Sequence, residues 1–143
     1  MIVPHFKLQR VCLRLTLFFL SVAVLASLLS LIVLCVAAFA AERESFYTST
    51  ICKELGGQVE YRLPDGTRCD CLTDEYAIEV EFAPKWKEAI GQALHYARLT
   101  GKKPAIVLLV DPGRDLKYLW HLSRTIDDYC LPIFLDVISI GGR

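Results

Sequence analysis

Between Leu15 and Ala41 the chain carries no charged residue; its 27 positions are chiefly Leu, Val, Ala and Phe. No other feature constrains the fold as much, because such a run cannot form the surface of a domain in water. As a helix it spans roughly 40 Å at about 1.5 Å per residue, more than the ~30 Å hydrocarbon core of a bilayer. Lys7, Arg10 and Arg14 precede it and are all positive. By the positive-inside tendency the N-terminus stays in the cytoplasm and residues 42–143 face the other side. Two readings stay open. One is a single-pass signal anchor, since the run exceeds the usual apolar core of a cleaved signal. The other is a cleaved secretory signal, with Ala38-Phe39-Ala40 as a small-x-small site, which leaves the remainder secreted or periplasmic. Both export residues 42–143.

The exported part has about 100 residues, enough for one small domain with one core. The whole chain has 16 Lys+Arg and 16 Asp+Glu, so without the three N-terminal cations the exported part has 13 against 16. A mildly acidic domain is not a general polyanion coat. Of the six cysteines, Cys52, Cys69, Cys71 and Cys130 lie in the exported part. An even count there permits disulfides. Cys69 and Cys71 are poor partners for each other on one strand, pairings to Cys52 or Cys130 are conceivable, and four buried free thiols are the alternative. A zinc site lacks the paired C-x₂-C spacing.

After a polar segment, residues 42–49, a short helix is expected to stop at Gly56-Gly57. Gln58–Leu63 and Thr67–Thr73 read as strands joined by the turn Pro64-Asp65-Gly66. Tyr76–Phe82 alternates cleanly, as a third strand should. Pro84 opens a helix to about Leu99, stopped by Gly101. Ala105–Val110 is a continuous apolar run, as in a buried strand. "DPGRD", Asp111–Asp115, reads as a turn with a helix cap. Asp115–Asp128 reads as a helix and Pro132–Ile138 as a last strand. The class is α/β, ordered α-β-β-β-α-β-α-β.

On the third strand Glu79 and Glu81 share one face with Ala77, opposite Ile78, Val80 and Phe82. Side-by-side carboxylates repel, so a role in folding alone does not account for them. Asp70, on the neighbouring strand, can point to the same side. Several hard oxygen ligands from adjacent strands suit a divalent cation, which also relieves the repulsion. The following helix lines up Lys85, Gln92 and Tyr96 on one face, with Glu88 between them. A Lys there can face charge developing on a phosphate, and Gln and Tyr can hydrogen-bond one. His95 and His121 have no metal spacing and no nucleophile, and read as surface or structural residues. "LGGQ" lacks the Lys-Ser/Thr of a P-loop.

These residues together resemble the PD-(D/E)xK nuclease superfamily over about residues 50–112. Asp70 resembles its first acidic strand residue, and Glu79-Val80-Glu81 its (D/E)-x-K element. "QALHY", Gln92 to Tyr96, resembles the Q-x-x-x-Y motif of the RecB-like branch. The resemblance implies a restriction-endonuclease-like α-β-β-β-α-β core, preceded here by one N-terminal hydrophobic helix. It also implies Mg²⁺-dependent (or Mn²⁺-dependent) hydrolysis of DNA phosphodiesters. The implied metal ligands are Asp70 and Glu79, with Glu54 as an additional helix carboxylate and Glu60 as its competitor. The implied catalytic set is Asp70, Glu79, Glu81 and Lys85, with Gln92 and Tyr96 positioning substrate. The pattern is broken at Glu81, where Lys is usual. Lys85, one turn into the helix, is the natural substitute, with Lys87 second. The alternative is a nuclease-like fold that has lost catalysis and serves as a membrane-tethered binding module.

Overall fold

The computed structural model describes residues 5–141; within its first helix, side chains are described only at 19–20, 22–36, 38 and from 44 onward. The chain divides into two compact units, Met1–Glu42 and Arg43–Arg143. The first helix, α1, is His5–Glu54, so the polar segment 42–49 is helical and no separate short helix follows it. In the first unit Leu31, Ile32, Val33 and Leu34 are each 60–68% exposed. Four consecutive helical residues point in all directions around the axis, so this stretch has no polar face to turn toward water. Among the described residues no helix is long and apolar enough to cross a membrane. In the expected span, residues 15–41, the side chains are described only in part.

The second unit is a five-stranded sheet with helices on both faces. Its strands are β1 (Gln58–Arg62), β2 (Arg68–Leu72), β3 (Tyr76–Phe82), β4 (Lys103–Val110) and β5 (Phe134–Ser139), lying side by side in that order. β1–β2 and β2–β3 are antiparallel, while β3–β4 and β4–β5 are parallel. The two parallel steps need crossovers, supplied by α2 (Trp86–Thr100) and α3 (Leu116–Asp128). Both steps move the same way across the sheet, and crossovers of one hand then fall on one face. Accordingly Ala89 and Ala93 of α2 and Leu122 of α3 share a core with Ile106, Leu108 and Val110. The other face packs Ile51 and Cys52 of α1 against Ile78, Val80, Val107 and Leu109. β4 lies between the two cores, which is why it reads as an unbroken apolar run.

Local chemistry sets the element ends. Leu63 to Thr67 closes the first hairpin, and the Asp65 carboxylate accepts from the Thr67 N–H and hydroxyl. Pro84 lies in a 3₁₀ turn, Ala83–Lys85, ahead of α2. Gly101, at φ 68°, caps the end of α2 and donates to the Ala97 carbonyl. The turn before α3 differs from expectation. Asp115 occupies the cap position, but its carboxylate accepts from the Asp111 N–H rather than from the helix. Asp111 organises the turn by accepting from the Gly113 N–H and from Arg114 Nε.

A Cys52–Cys71 disulfide joins the end of α1 to β2. Cys69 and Cys130 are free, the first buried and the second exposed. Gly57 fits against the bridge; a Cβ there would lie 2.5 Å from Cys71 Sγ and 2.9 Å from Cys52 Sγ.

Candidate functional site

β3 builds the floor of the site. Its register sets Glu79 beside Ile106 and Glu81 beside Leu108 of β4, so both carboxylates point to the α2 face while Ile78 and Val80 point away. They are buried under the helix, 3% and 4% exposed, and are therefore not a solvated strand face. β2 delivers Asp70 from the side. Its Oδ2 accepts from the Val80 N–H at 2.9 Å, a bond that replaces regular pairing: β2 and β3 are registered only at Cys71–Ile78 and Leu72–Ala77. This break separates the two neighbouring cysteines. Cys71 packs on the α1 side and Cys69 packs with Ala77 and Tyr96. Two residues apart on an undisturbed strand, they would share a face.

α2 forms the wall. Glu88, Gln92 and Tyr96 of α2, with Lys85 from the 3₁₀ turn just before it, recur at helical spacing and line a cleft of about 700 Å³ with Asp70, Glu79 and Glu81. Gln92 Nε2 donates to the Tyr96 hydroxyl at 3.5 Å. Gly91 also faces the cleft, and a Cβ there would meet no atom within 4 Å. Packing therefore does not require a glycine at this mid-helix position, where it is disfavoured.

Two residues at the cleft, Glu44 and Arg68, carry no signal in the sequence pattern. Glu44 enters from the last turns of α1, and Arg68 comes with Glu60 from the first hairpin. Arg68 Nη1 is 2.8 Å from Glu60 Oε2. Glu60 sits in mid-strand at φ 53°, a conformation uncommon for any residue but Gly and Asn. Glu54 does not line the cleft; the α1 carboxylate that does is Glu44, and Glu60 reaches the cleft from the hairpin.

Six carboxylates (Glu44, Glu60, Asp70, Glu79, Glu81, Glu88) face two cations (Arg68, Lys85). Burial, then the neighbouring Asp70 and Glu81 charges, push Glu79 up to about 9. Burial raises Asp70 to about 7 against the Val80 N–H bond, which favours the ionised form. Glu81 is also raised by burial, opposed by its bond from the Phe82 N–H and by Lys85. Lys85 Nζ lies 3.2 Å from Glu44 Oε2 and 3.4 Å from Glu81 Oε1. Partial burial lowers its pKa, but these two carboxylates outweigh that and raise it. Burial and the Glu79 and Asp70 charges keep the Tyr96 phenol protonated.

Glu79 Oε2 is buried without a hydrogen-bond partner. An unsatisfied buried acceptor is costly, and an all-oxygen donor set suits a hard divalent cation. Among the described residues no group of three His, Cys, Asp or Glu already stands in ligand geometry, so a cation could be held only after side chains adjust.

No protein-family model matches the chain, and no solved structure matches it. A stretch of 59 residues, 41% of the chain, is 39% identical to the "Putative KilA-N domain-containing protein L32" of Acanthamoeba polyphaga mimivirus. The match spans 16% of that protein's length.

Proposed function

We propose that residues 42–143 form a PD-(D/E)xK-type nuclease domain, of the RecB-like branch, that hydrolyses DNA phosphodiesters with Mg²⁺ or Mn²⁺. The observation that carries this reading is the convergence of Asp70, Glu79, Glu81 and Lys85 at one cleft, with Glu79 buried and one of its oxygens unsatisfied. The path α1-β1-β2-β3-α2-β4 supports the restriction-endonuclease-like arrangement. Asp70 and Glu79 are the cation ligands, and Glu44 stands where a helix carboxylate was expected of Glu54. The bound cation supplies charge neutralisation at the phosphate and a more acidic water. Lys85 Nζ faces the negative charge that develops on the phosphate, and Glu81 holds Lys85 in place and can take up a proton. Gln92 and the protonated Tyr96 hydroxyl donate to phosphate oxygens. The apolar run 15–41 tethers the domain to a membrane with residues 42–143 outside the cytoplasm. A disulfide next to the site favours such an oxidising compartment.

The test is the full chain in nonionic detergent with circular DNA and Mg²⁺ or Mn²⁺. Cutting is expected, and Asp70→Asn and Glu79→Gln should each abolish it. Cutting that survives both substitutions refutes the assignment. A second reading, a catalytically silent tethered binding module, is favoured by one observation: Lys85 is already engaged by Glu44 and Glu81. Tight Mn²⁺ binding without any cutting would select it.

A further inference from the structure

The chain has two tryptophans, Trp86 and Trp120, and both meet His121. The Trp86 and His121 rings are stacked, with centroids 6.0 Å apart and planes 12° from parallel. Trp120 packs edge-on against His121 at 5.0 Å and is 60% exposed. His121 is exposed as well, so it does not serve the core. Cations accompany the rings: Lys87 Nζ lies 5.6 Å from the Trp86 ring centre, and Lys117 Nζ 4.8 Å from that of Tyr118 on the same helix as Trp120. Lys85, which lines the acidic cleft, immediately precedes Trp86. The first turn of α2 therefore serves cleft and aromatic ledge alike.

Trp120 and His121 are exposed, while Trp86 and Tyr118 are half-buried against the core and back them; exposed rings beside lysines offer π-faces for bases and positive charge for phosphates. A duplex hides its base faces, whereas a single strand presents them. We infer that the Trp86–His121–Trp120 ledge is a stacking platform for single-stranded nucleic acid running past the cleft. The inference rests on the nuclease reading for its substrate class, but binding is measured apart from cutting.

Because both tryptophans belong to the ledge, intrinsic fluorescence reports on it directly. The full chain in nonionic detergent, without divalent cations, is titrated with short oligothymidylate, its RNA counterpart, an abasic strand of equal length and a duplex. Saturable quenching is expected with the single strands and not with the abasic strand. Trp120→Ala should weaken binding about tenfold, the usual scale for one stacked base, while Trp120→Phe keeps most of it. Equal binding of abasic and base-bearing strands, or an unchanged affinity in Trp120→Ala, overturns the platform. So does a blue shift with anionic but not zwitterionic vesicles and no response to oligonucleotide, which would assign the ledge to a lipid surface. Asp70-dependent cutting without quenching sinks the ledge alone; quenching without cutting sinks the nuclease reading alone.

Discussion

Replacing Glu79 by Gln separates what the buried carboxylate costs the fold from what it contributes to the site. Its pKa is raised from 4.5 to about 9, chiefly by burial and then by the Asp70 and Glu81 charges. A raised folded-state value means that the native protein holds this proton more tightly than the unfolded chain. The associated stability is complete below about pH 4.5 and is lost as pH climbs through about 9. Within that window each pH unit costs about 1.4 kcal/mol for one proton. From pH 6 to pH 8 Glu79 alone therefore removes up to about 3 kcal/mol, or roughly 10–20 °C of melting temperature for a domain of this size. Asp70, raised to about 7, adds to the lower half of the same slope. The amide introduced by Glu79→Gln is a neutral shape mimic of the protonated acid and has no proton to lose. Thermal melts followed by circular dichroism, with chelator present, should give nearly equal midpoints at about pH 5 and a clearly higher midpoint for Glu79→Gln at about pH 8. Mn²⁺ should narrow that gap. At 100 times its dissociation constant a ligand stabilises by about 2.7 kcal/mol, and only the wild type should gain it. Superimposable melting profiles across pH, with equal response to Mn²⁺, would refute both the buried-charge argument and the metal assignment.

Three further outcomes follow from particular contacts. Opening the Cys52–Cys71 bridge, which closes a sequence separation of 19, should cost about 3 kcal/mol, read as a melting-temperature drop of roughly 10–20 °C in Cys52→Ser/Cys71→Ser. Gly57→Ala places a Cβ against both bridge sulfurs and should destabilise by about 1–3 kcal/mol, measured by urea unfolding; an unchanged midpoint would contradict the close fit. Gly91→Ala meets no neighbour and should stabilise α2 by about 0.5–1 kcal/mol, yet it narrows the cleft, so Mn²⁺-dependent cutting should fall while the melting temperature rises.

The strands and helices are largely legible in the sequence because period and punctuation are local. β3 alternates over seven residues, β4 is apolar throughout, and Gly101 stops α2 where expected. Lys85, Gln92 and Tyr96 are legible as one helix face for the same reason. What is not legible depends on contacts between elements. Which turn of α1 meets the cleft is decided by packing, so Glu44 and Glu54, ten residues apart on one helix, cannot be told apart by pattern. Cys69 and Cys71 separate because the Asp70 carboxylate takes the Val80 N–H from the ladder, and alternation carries no sign of that. The pairing of Cys52 with Cys71 is one of several that spacing permits. His95, read as a surface or structural residue, ties α2 to the first hairpin through Asp65 at 2.7 Å.

Lys85 shows why the acidic cleft is not simply an ill-made core. A domain that only needed to neutralise Glu79 could place a cation against it, but Lys85 lies with Glu44 and Glu81, and Glu79 Oε2 has no hydrogen-bond partner. Glu81 is already served by Lys85 and by the Phe82 N–H; Asp70 is served by the Val80 N–H. The deepest carboxylate is therefore the least satisfied one, although its chain neighbours Ile78 and Val80 are buried apolar residues on the opposite face of β3. A buried unpaired acceptor lowers stability wherever it occurs, and here Lys85 acts on Glu79 only through its charge, without a bond to it. That distribution of charge is consistent with the proposed cation as the partner of Glu79. Lys85, anchored at the rim by two carboxylates, can then turn its charge toward an anion entering the cleft.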